Sequence, residues 1–159
     1  MTVYAAIAGM LALMGFVVFY SSLDNPHLEQ AQISLQSVEV RNVNTIQNKA
    51  TLEVTFMVEN PSEKTFTVPL ITYELYGDGR LIGSGQYSTE DIAMPGRAAF
   101  YGGSAIPLKS MMTITSDDTG AGIYGDVTGS RIAQYEATGM IMVESAWAIV
   151  EVDFESSIP

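Results

Sequence analysis

The residues from Gly120 to Gly125 (GAGIYG) have the spacing G-x-G-x-x-G, which is found in dinucleotide-binding loops. In those loops the glycines lie between a strand and a long helix, and the N-terminus of that helix holds the pyrophosphate. Here Asp117 and Asp118 precede the motif and Asp126 follows it, which would bring carboxylates close to a phosphate. The chain also has no βαβ pattern. The stretch therefore predicts a flexible loop, and we expect no nucleotide binding.

The same three aspartates carry the oxygen ligands that calcium prefers. Their spacing differs from that of an EF-hand loop, whose acids alternate at the first, third and fifth positions. A solvated acidic loop from Asp117 to Asp126 is favoured, and calcium binding stays open as the alternative. The only histidine is His27 and cysteine is absent, so a zinc or copper site would need further ligands. We expect no metal and no other cofactor.

Nucleophilic catalysis has no residues that suit it. The G-x-S-x-G motif is missing, and a serine–histidine pair would have to use His27, which lies outside the predicted domain. Most of the 18 acidic residues fall at outward strand positions or in turns, where solvation is expected. The sequence therefore predicts no catalytic residues and a protein that is not an enzyme.

Several aromatic residues are candidates for lining a binding groove. The alternative, which we favour, is that they pack in the core or lie half-buried on strands. They are Tyr73, Tyr76, Tyr101, Tyr124 and Trp147.

Composition limits the classes of partner. The chain has 159 residues, enough for one domain and a short appendage, and a formal net charge of −11. That charge disfavours nucleic acid and anionic lipid. Because 47% of the residues are hydrophobic and only 16% are charged, the chain is predicted to fold rather than to be a disordered acidic protein.

The middle of the sequence predicts antiparallel strands. Apolar residues alternate with polar ones over 52–58, and Asn60-Pro61 ends that strand. A second strand runs over 66–76 and returns through a tight turn at Asp78-Gly79. Shifts of the alternation near Ser37 and beside Pro69 predict β-bulges.

The second half is harder to assign. A strand is predicted over 98–106 after a turn at Pro95-Gly96, and a short helix is predicted to begin at Pro107. The residues over 116–130 predict a long loop. Two strands, 135–143 and 148–154, complete the domain. In the last strand the inward residues are Val150, Val152 and Phe154, and the outward ones are Glu151, Asp153 and Glu155.

From about Ala31 to Glu155 the sequence resembles the group 2 late embryogenesis abundant proteins, also called water stress and hypersensitive response (WHy) domains. The resemblance rests on Asn60-Pro61, the run ITYELY over 71–76 with Gly79 and LIGSG after it, Pro95-Gly96 and the run over 135–143. It implies an all-β, seven-stranded sandwich of the fibronectin type III or immunoglobulin kind, and it implies no catalytic residues. The family is associated with desiccation and stress.

The N-terminus predicts a membrane anchor. Residues 1–23 carry no charged side chain, and Val3 to Tyr20 is almost wholly apolar and long enough to cross a bilayer. A secretory signal peptide is the alternative, but the basic region and the small-x-small cleavage site of such peptides are missing. We therefore expect an anchor over 1–23, a linker over 24–32, a WHy-like sandwich over 33–155 and a tail over 156–159.

Small residues on the helix predict a helix–helix interface. Ala5, Gly9 and Ala12 would let a partner helix approach closely, although such residues are also common in spanning helices. Acidic residues follow the helix and the first basic residue is Arg41, so we expect the domain on the extracytoplasmic side of the cell membrane.

The sequence thus predicts a non-catalytic, single-pass protein, with two candidate roles. In the first it is an accessory subunit that packs on a larger integral membrane protein complex. In the second it is a freestanding, surface-tethered protein that protects clients or membranes during stress. Neither role involves nucleic acid or a nucleotide.

Overall fold

Two antiparallel β-sheets, packed face to face, form the body of the protein in a computed structural model that describes residues 2–22, 25–90 and 98–159. The strands are β1 (Gln32–Asn44), β2 (Lys49–Glu59), β3 (Phe66–Gly77), β4 (Arg80–Ser88), β5 (Ala99–Phe100), β6 (Ala105–Thr115), β7 (Tyr135–Glu144) and β8 (Ile149–Ile158). One sheet has the order β1-β2-β6, and the other has the order β4-β3-β7-β8 with β5 also paired to β3. The predicted all-β sandwich is confirmed, with eight described strands instead of seven. The predicted turn at Pro95-Gly96 lies outside the described residues.

Four helices accompany these strands in the described parts of the chain. A long N-terminal helix and then a helix of a single turn precede the sandwich, and two short helices connect β6 to β7. They are α1 (Thr2–Ser22), α2 (Asn25–Leu28), α3 (Ser116–Thr119) and α4 (Ala121–Thr128).

Strand β2 forms the centre of the core. Its four alternating apolar side chains are completely buried, as the period of two predicts: Leu52, Val54, Phe56 and Val58. The ring of Phe56 meets two rings of the opposite sheet edge-on, at centroid distances of 4.8 Å to Tyr73 and 5.6 Å to Phe154. These contacts hold the two sheets together through β2, β3 and β8.

The predicted hairpin turn and both predicted bulges are confirmed. Asp78 and Gly79 have φ angles of +50° and +74°, which the turn between β3 and β4 requires. The pairing of β1 with β2 shifts between Leu35 and Ser37, and that of β3 with β7 shifts between Thr67 and Leu70. A further shift, between Val40 and Asn42 of β1, was not predicted.

The helix predicted to begin at Pro107 is wrong, because this stretch forms β6. Its inward residues follow a period of two, but one of them is the polar residue Ser110, which is 2% exposed. That serine breaks the apolar alternation in the sequence and leaves Leu108 and Met112, whose separation of four also suits a helix. Pro107 is tolerated because β6 is an edge strand of its sheet.

The loop predicted over 116–130 is also wrong, because the stretch forms α3 and α4. The Thr115 side chain caps α3 by accepting a hydrogen bond from the Asp118 backbone N–H. Val127 of α4 is completely buried, and the Thr119 hydroxyl donates to the Ile82 carbonyl of β4. The two helices therefore cover one end of the core, despite their glycines.

Residues on both sides of the predicted 33–155 domain belong to the sandwich. Leu28 and Ala31, in the predicted linker, are 0% and 5% exposed. Strand β8 continues to Ile158, and the Ser156 hydroxyl accepts a hydrogen bond from the Leu35 backbone N–H at the β1 bulge. The predicted alternation of the last strand is confirmed, with half-buried residues at even positions and exposed residues at odd positions.

Charged side chains cross the outer face of the smaller sheet. The Glu53 carboxylate of β2 lies 2.7 Å from Arg41 of β1 and 2.8 Å from Lys109 of β6. Hydrogen bonds from these two cations lower the pKa of Glu53 to about 2. All three strands of this sheet are thereby linked by one carboxylate that stays ionised at neutral pH.

Asn60 has a partner for every polar group it carries, although it is only 1% exposed. Its side-chain amide donates to the carbonyls of Lys64 and Phe100, both at 2.8 Å. Its side-chain oxygen accepts from the backbone and the hydroxyl of Ser62. Its own backbone N–H and C=O bond to the turn between β5 and β6. Asn60 thus joins the end of β2 to β5 and to the β2–β3 loop.

We expect Asn60→Asp to lower the free energy of unfolding by about 2–5 kcal/mol, because it aims a buried carboxylate at two carbonyls that have lost their donor. The measurement is urea unfolding of the full chain in mild detergent, followed by circular dichroism. Asn42→Asp, at an exposed position of β1, is the matched control and should change the value by less than about 0.5 kcal/mol. Equal free energies of unfolding for Asn60→Asp and Asn42→Asp would contradict this role of Asn60.

Candidate functional site

Helix α1 has no cover in the described structure. It contains 21 residues, which is about 30 Å of helix and close to the thickness of the hydrocarbon layer. Its apolar side chains, from Val3 to Tyr20, are exposed, and none is buried against the sandwich. By length and composition it is able to cross a membrane. A signal sequence near an N-terminus has the same length and composition. The surface of α1 is therefore the first candidate for function.

The small residues of α1 lie on one side of the helix. Ala5, Gly9 and Ala12 fall within an arc of about 60°, since successive residues turn by about 100°. All three are exposed, and nothing lies within 4 Å of the Cβ position at Gly9. The predicted contact with a partner helix stays a prediction.

One end of the sandwich adjoins this helix. Strand β1 begins there, opposite Glu59 at the end of β2, and α2 packs beside β8. The β7–β8 turn lies at the same end, because Glu144 pairs with both Thr67 near the start of β3 and Ile149 at the start of β8. The β5–β6 turn is also there, because β5 pairs with the first residues of β3. We call this region the helix-adjoining end.

An apolar recess of about 320 Å³ lies between α1 and the helix-adjoining end. Phe16, Val17 and Tyr20 line it from the helix, and Trp147 lines it from the β7–β8 turn. The rings of Phe16 and Tyr20 stack at a centroid distance of 6.2 Å. Trp147 is the only residue of the sandwich that lines this recess among the described residues.

Ser145 holds the turn that carries Trp147. Its backbone N–H donates to the Ala148 carbonyl at 2.8 Å, and its hydroxyl accepts from the backbone N–H groups of Trp147 and Ala148. The indole itself is 70% exposed. The turn is thus fixed, while its large aromatic side chain remains outside the core.

The five aromatic candidates divide into two groups. Tyr73, Tyr76 and Tyr124 are buried or half-buried, as predicted. The prediction of packing is wrong for Tyr101 and Trp147, which are 67% and 70% exposed. Both lie in turns at the helix-adjoining end, and the sequence alone did not indicate that these two turns come together.

Tyr73 connects the two sheets. Its hydroxyl donates to the Ser110 hydroxyl at 2.9 Å, and Ser110 donates to the Gln86 carbonyl at 2.7 Å. Burial raises the pKa of Tyr73. A Cβ at Gly85 would lie 2.5 Å from the Tyr73 hydroxyl oxygen, so Gly85 provides the space for this ring. The role of Tyr73 is therefore in packing.

Two of the three aspartates considered for calcium, Asp118 and Asp126, are used in other contacts. Asp126 accepts hydrogen bonds from Arg80 at 2.9 Å and Arg131 at 3.1 Å, and these bonds lower its pKa. Asp118 accepts from the Thr115 hydroxyl in the cap of α3. Across residues 2–22, 25–90 and 98–159, no group of three or more His, Cys, Asp or Glu side chains is placed to hold a metal ion.

The remaining chemical candidates are also separated. The glycine motif over 120–125 begins at Gly120, between α3 and α4, and continues inside α4. It does not follow a strand, unlike a dinucleotide-binding loop. His27 is exposed on α2. A depression of about 550 Å³ lies on the larger sheet, where Gly85 and Gly139 flank β3 and hydroxyl, amide and carboxylate side chains surround it.

The fold is similar to that of several solved structures. The solution structure of a protein from Arabidopsis thaliana has 15% identity and a TM-score of 0.55, covering 79% of this chain and 78% of that one. An X-ray structure of a structural-genomics target has 8% identity and a TM-score of 0.51, covering 82% and 87%. The solution structure of a protein described as a candidate late embryogenesis abundant protein has 12% identity and a TM-score of 0.39, covering 98% and 86%.

At these identities the first two comparisons show a shared fold and nothing about activity, and the third, at its lower score, carries no weight. No protein-family model matches the chain, and no curated protein matches it in sequence. Membership of the late embryogenesis abundant or WHy family therefore stays a prediction.

We expect Asp126→Asn to lower the melting temperature of the full chain in detergent at pH 7. The pKa of Asp126 is lowered in the folded state, so its ion pairs stabilise the fold above the pKa of an unfolded aspartate, about 3.9. That stabilisation disappears as the pH falls below this value and through the folded pKa. The gap between Asp126→Asn and the wild type should accordingly narrow in melts recorded at successively lower pH below about 3.9.

Asp153→Asn, at an exposed outward position of β8, removes the same charge and is the control, which should change the melting temperature less at pH 7. Millimolar calcium tests the alternative role of the same carboxylate. A calcium-dependent rise of the wild-type melting temperature that Asp126→Asn abolishes would show that the aspartate is an ion ligand instead.

Proposed function

We propose that the protein is a non-catalytic, single-pass membrane subunit whose β-sandwich lies on the extracytoplasmic side and packs on a larger membrane protein complex. The observation that carries the proposal is the exposure of the apolar side chains of α1, from Val3 to Tyr20, beside a core that is already closed. None of the buried apolar side chains of the described structure belongs to this helix. Its surface needs lipid or another protein to cover it.

Retention of the helix is supported by its C-terminal sequence. Cleavage by a signal peptidase requires small residues one and three positions before the cut. Around the end of α1 the serines at 21 and 22 follow Phe19 and Tyr20, so neither serine has a small residue two positions before it. We infer that α1 remains as an anchor in the mature protein.

A partner helix is supported by the arrangement of small residues on α1. Helices in membranes associate mainly through close packing, and glycine and alanine permit the closest approach. Ala5, Gly9 and Ala12 supply a strip of this kind over two turns. The same side continues into Phe16 and Tyr20, so a partner helix would also meet the recess near the sandwich.

The location of the sandwich is supported by the distribution of basic residues. Loops on the cytoplasmic side of a membrane are rich in lysine and arginine close to the spanning segment. After α1 the first basic residue is Arg41, and Glu29 and Glu39 come before it. This distribution favours the extracytoplasmic side of the cell membrane.

The absence of a catalytic role is supported by the structural use of the candidate groups. Asp126, Asp118 and Tyr73 are bonded within the fold, and His27 stands alone on α2. We also infer that the sandwich is of the WHy type, on its Asn60-Pro61 and Asp78-Gly79 features and its two-sheet fold. If the protein migrates alone on a native gel, without a complex, its role would instead be the binding of clients during stress.

We expect the double change Ala5→Leu and Gly9→Leu to release the protein from its complex. Two bulky side chains would keep the backbones apart, while the more hydrophobic helix would still insert. Contacts of this kind are worth about 0.6–2 kcal/mol each, enough to weaken the association several-fold. The measurement is co-migration with partners on a native gel after extraction in mild detergent.

Gly15→Leu is the matched control, because Gly15 is equally exposed but lies about 120° around the helix from Gly9. It should leave the complex intact. Unchanged co-migration of the double variant would count against assembly through this side of α1. A wild-type protein that migrates alone would refute the subunit role and favour the freestanding stress protein.

A single introduced cysteine should report the location of the sandwich. The chain has no cysteine, and Ile46 in the β1–β2 turn is 93% exposed. We expect Ile46→Cys to react in intact cells with a maleimide that does not cross membranes, and Gly9→Cys to stay unreactive because it lies within the bilayer. Labelling of Ile46→Cys only after cell lysis would place the sandwich in the cytoplasm.

A further inference from the structure

The helix-adjoining end exposes large apolar side chains beside the point where the chain leaves α1. Among the described residues of this end, three such side chains are more than 60% exposed: Tyr101, Trp147 and Ile149. An indole that is exposed to water in a turn buries little apolar surface and so contributes little to the stability of the fold. The β7–β8 turn nevertheless holds its indole on a backbone that Ser145 fixes.

The depth of Trp147 follows from its neighbours. It lines a recess with Phe16, Val17 and Tyr20, which belong to the last two turns of α1 before the sandwich. If α1 fills the hydrocarbon layer, the ring of Tyr20 lies where that layer meets the headgroups. Trp147 then lies at the same depth.

We propose that Trp147 is a second membrane contact, with its indole inserted among the headgroups and upper acyl chains next to α1; this inference rests on the proposed membrane anchor. Tryptophan is suited to that layer, because its ring is largely apolar and its N–H reaches polar partners. The Ser145–Ala148 turn carries no charge, so its insertion buries no ionised side chain.

The contact is one of indole burial and not of attraction to anionic lipid. Near this end Glu59 and Glu63 are accompanied by Lys64, and the chain as a whole has a charge of −11. The occupant of the surface is therefore the uncharged interfacial layer of the bilayer. A partner protein that covers Trp147 is the competing occupant.

The two contacts, α1 and Trp147, would together fix the orientation of the sandwich on the membrane, which α1 alone would not. The helix alone leaves the domain free to tilt about the connection to β1. Trp147, on the far sheet from β1, adds a second point of support. The tilt and rotation of the sandwich would then be set before any partner binds.

The chain supplies its own probe, because Trp147 is the only tryptophan. Full-length protein is reconstituted alone into phosphatidylcholine vesicles, which removes every partner protein. We expect blue-shifted emission, several-fold weaker quenching by iodide than in a fully exposed tryptophan, and stronger quenching by lipids brominated near the headgroup than by lipids brominated deep in the chains.

The matched control moves the probe to the other end of the sandwich. In Trp147→Phe combined with Ile46→Trp, the tryptophan sits in the β1–β2 turn, about 40 Å along β1 from the membrane. It should emit as in water and escape both brominated lipids. Circular dichroism of this variant verifies that the sandwich is folded.

Insertion of α1 is measured independently. The vesicles are washed with alkaline carbonate, which removes protein that is not inserted, and are then floated on a density gradient. Protein that floats, with Trp147 quenched by shallow bromine, supports the contact. Protein that floats while Trp147 emits as the control does would overturn the contact, with the anchor intact and a partner as the remaining cover. Protein that fails to float would overturn both the anchor and the contact.

Discussion

The sandwich depends on a polar contact between its two sheets, the hydrogen bond from Tyr73 to Ser110. A tyrosine ring that crosses an apolar core must find a partner for its hydroxyl, or the burial costs more than it contributes. Ser110 is that partner, and it is itself satisfied by the Gln86 carbonyl. Gly85 must lack a side chain for the ring to pass, and Phe56 packs against the ring edge-on. The register of β6 on β2 and of β4 on β3 must both be correct for these groups to meet.

The same contact explains what the sequence could and could not predict. The alternation over 52–58, the Asp78-Gly79 turn and the two bulges are local patterns, and local patterns identified those elements. Strand β6 was missed because its inward Ser110 is explained only by Tyr73, 37 residues away. In α4 the spacing of Ile123, Tyr124 and Val127 suits a helix that caps the core, but the many glycines favoured a loop. A count of glycines does not show whether a core lies below them.

The candidate surfaces were predictable to different degrees. The apolar run of α1 is visible in the sequence, because length and composition alone identify a helix that is able to cross a membrane. The exposed aromatics were not, since nothing local distinguishes Trp147 in a turn from a core tryptophan. Only the pairing of β7 with β3 and β8 brings that turn beside the end of α1. The most distinctive feature of the described residues is the place where the exposed helix α1 meets the β7–β8 turn that carries Trp147.

The burial of Leu28 has a mechanical consequence. Only five residues separate the end of α1 at Ser22 from this completely buried side chain, a span of at most about 20 Å even if extended. If α1 is an anchor, as proposed, the sandwich would stay within about that distance of the bilayer surface. It would then reach the membrane-proximal part of a neighbouring protein and not the far end of a tall outer domain. A partner of the proposed subunit would have to present its matching surface at that height.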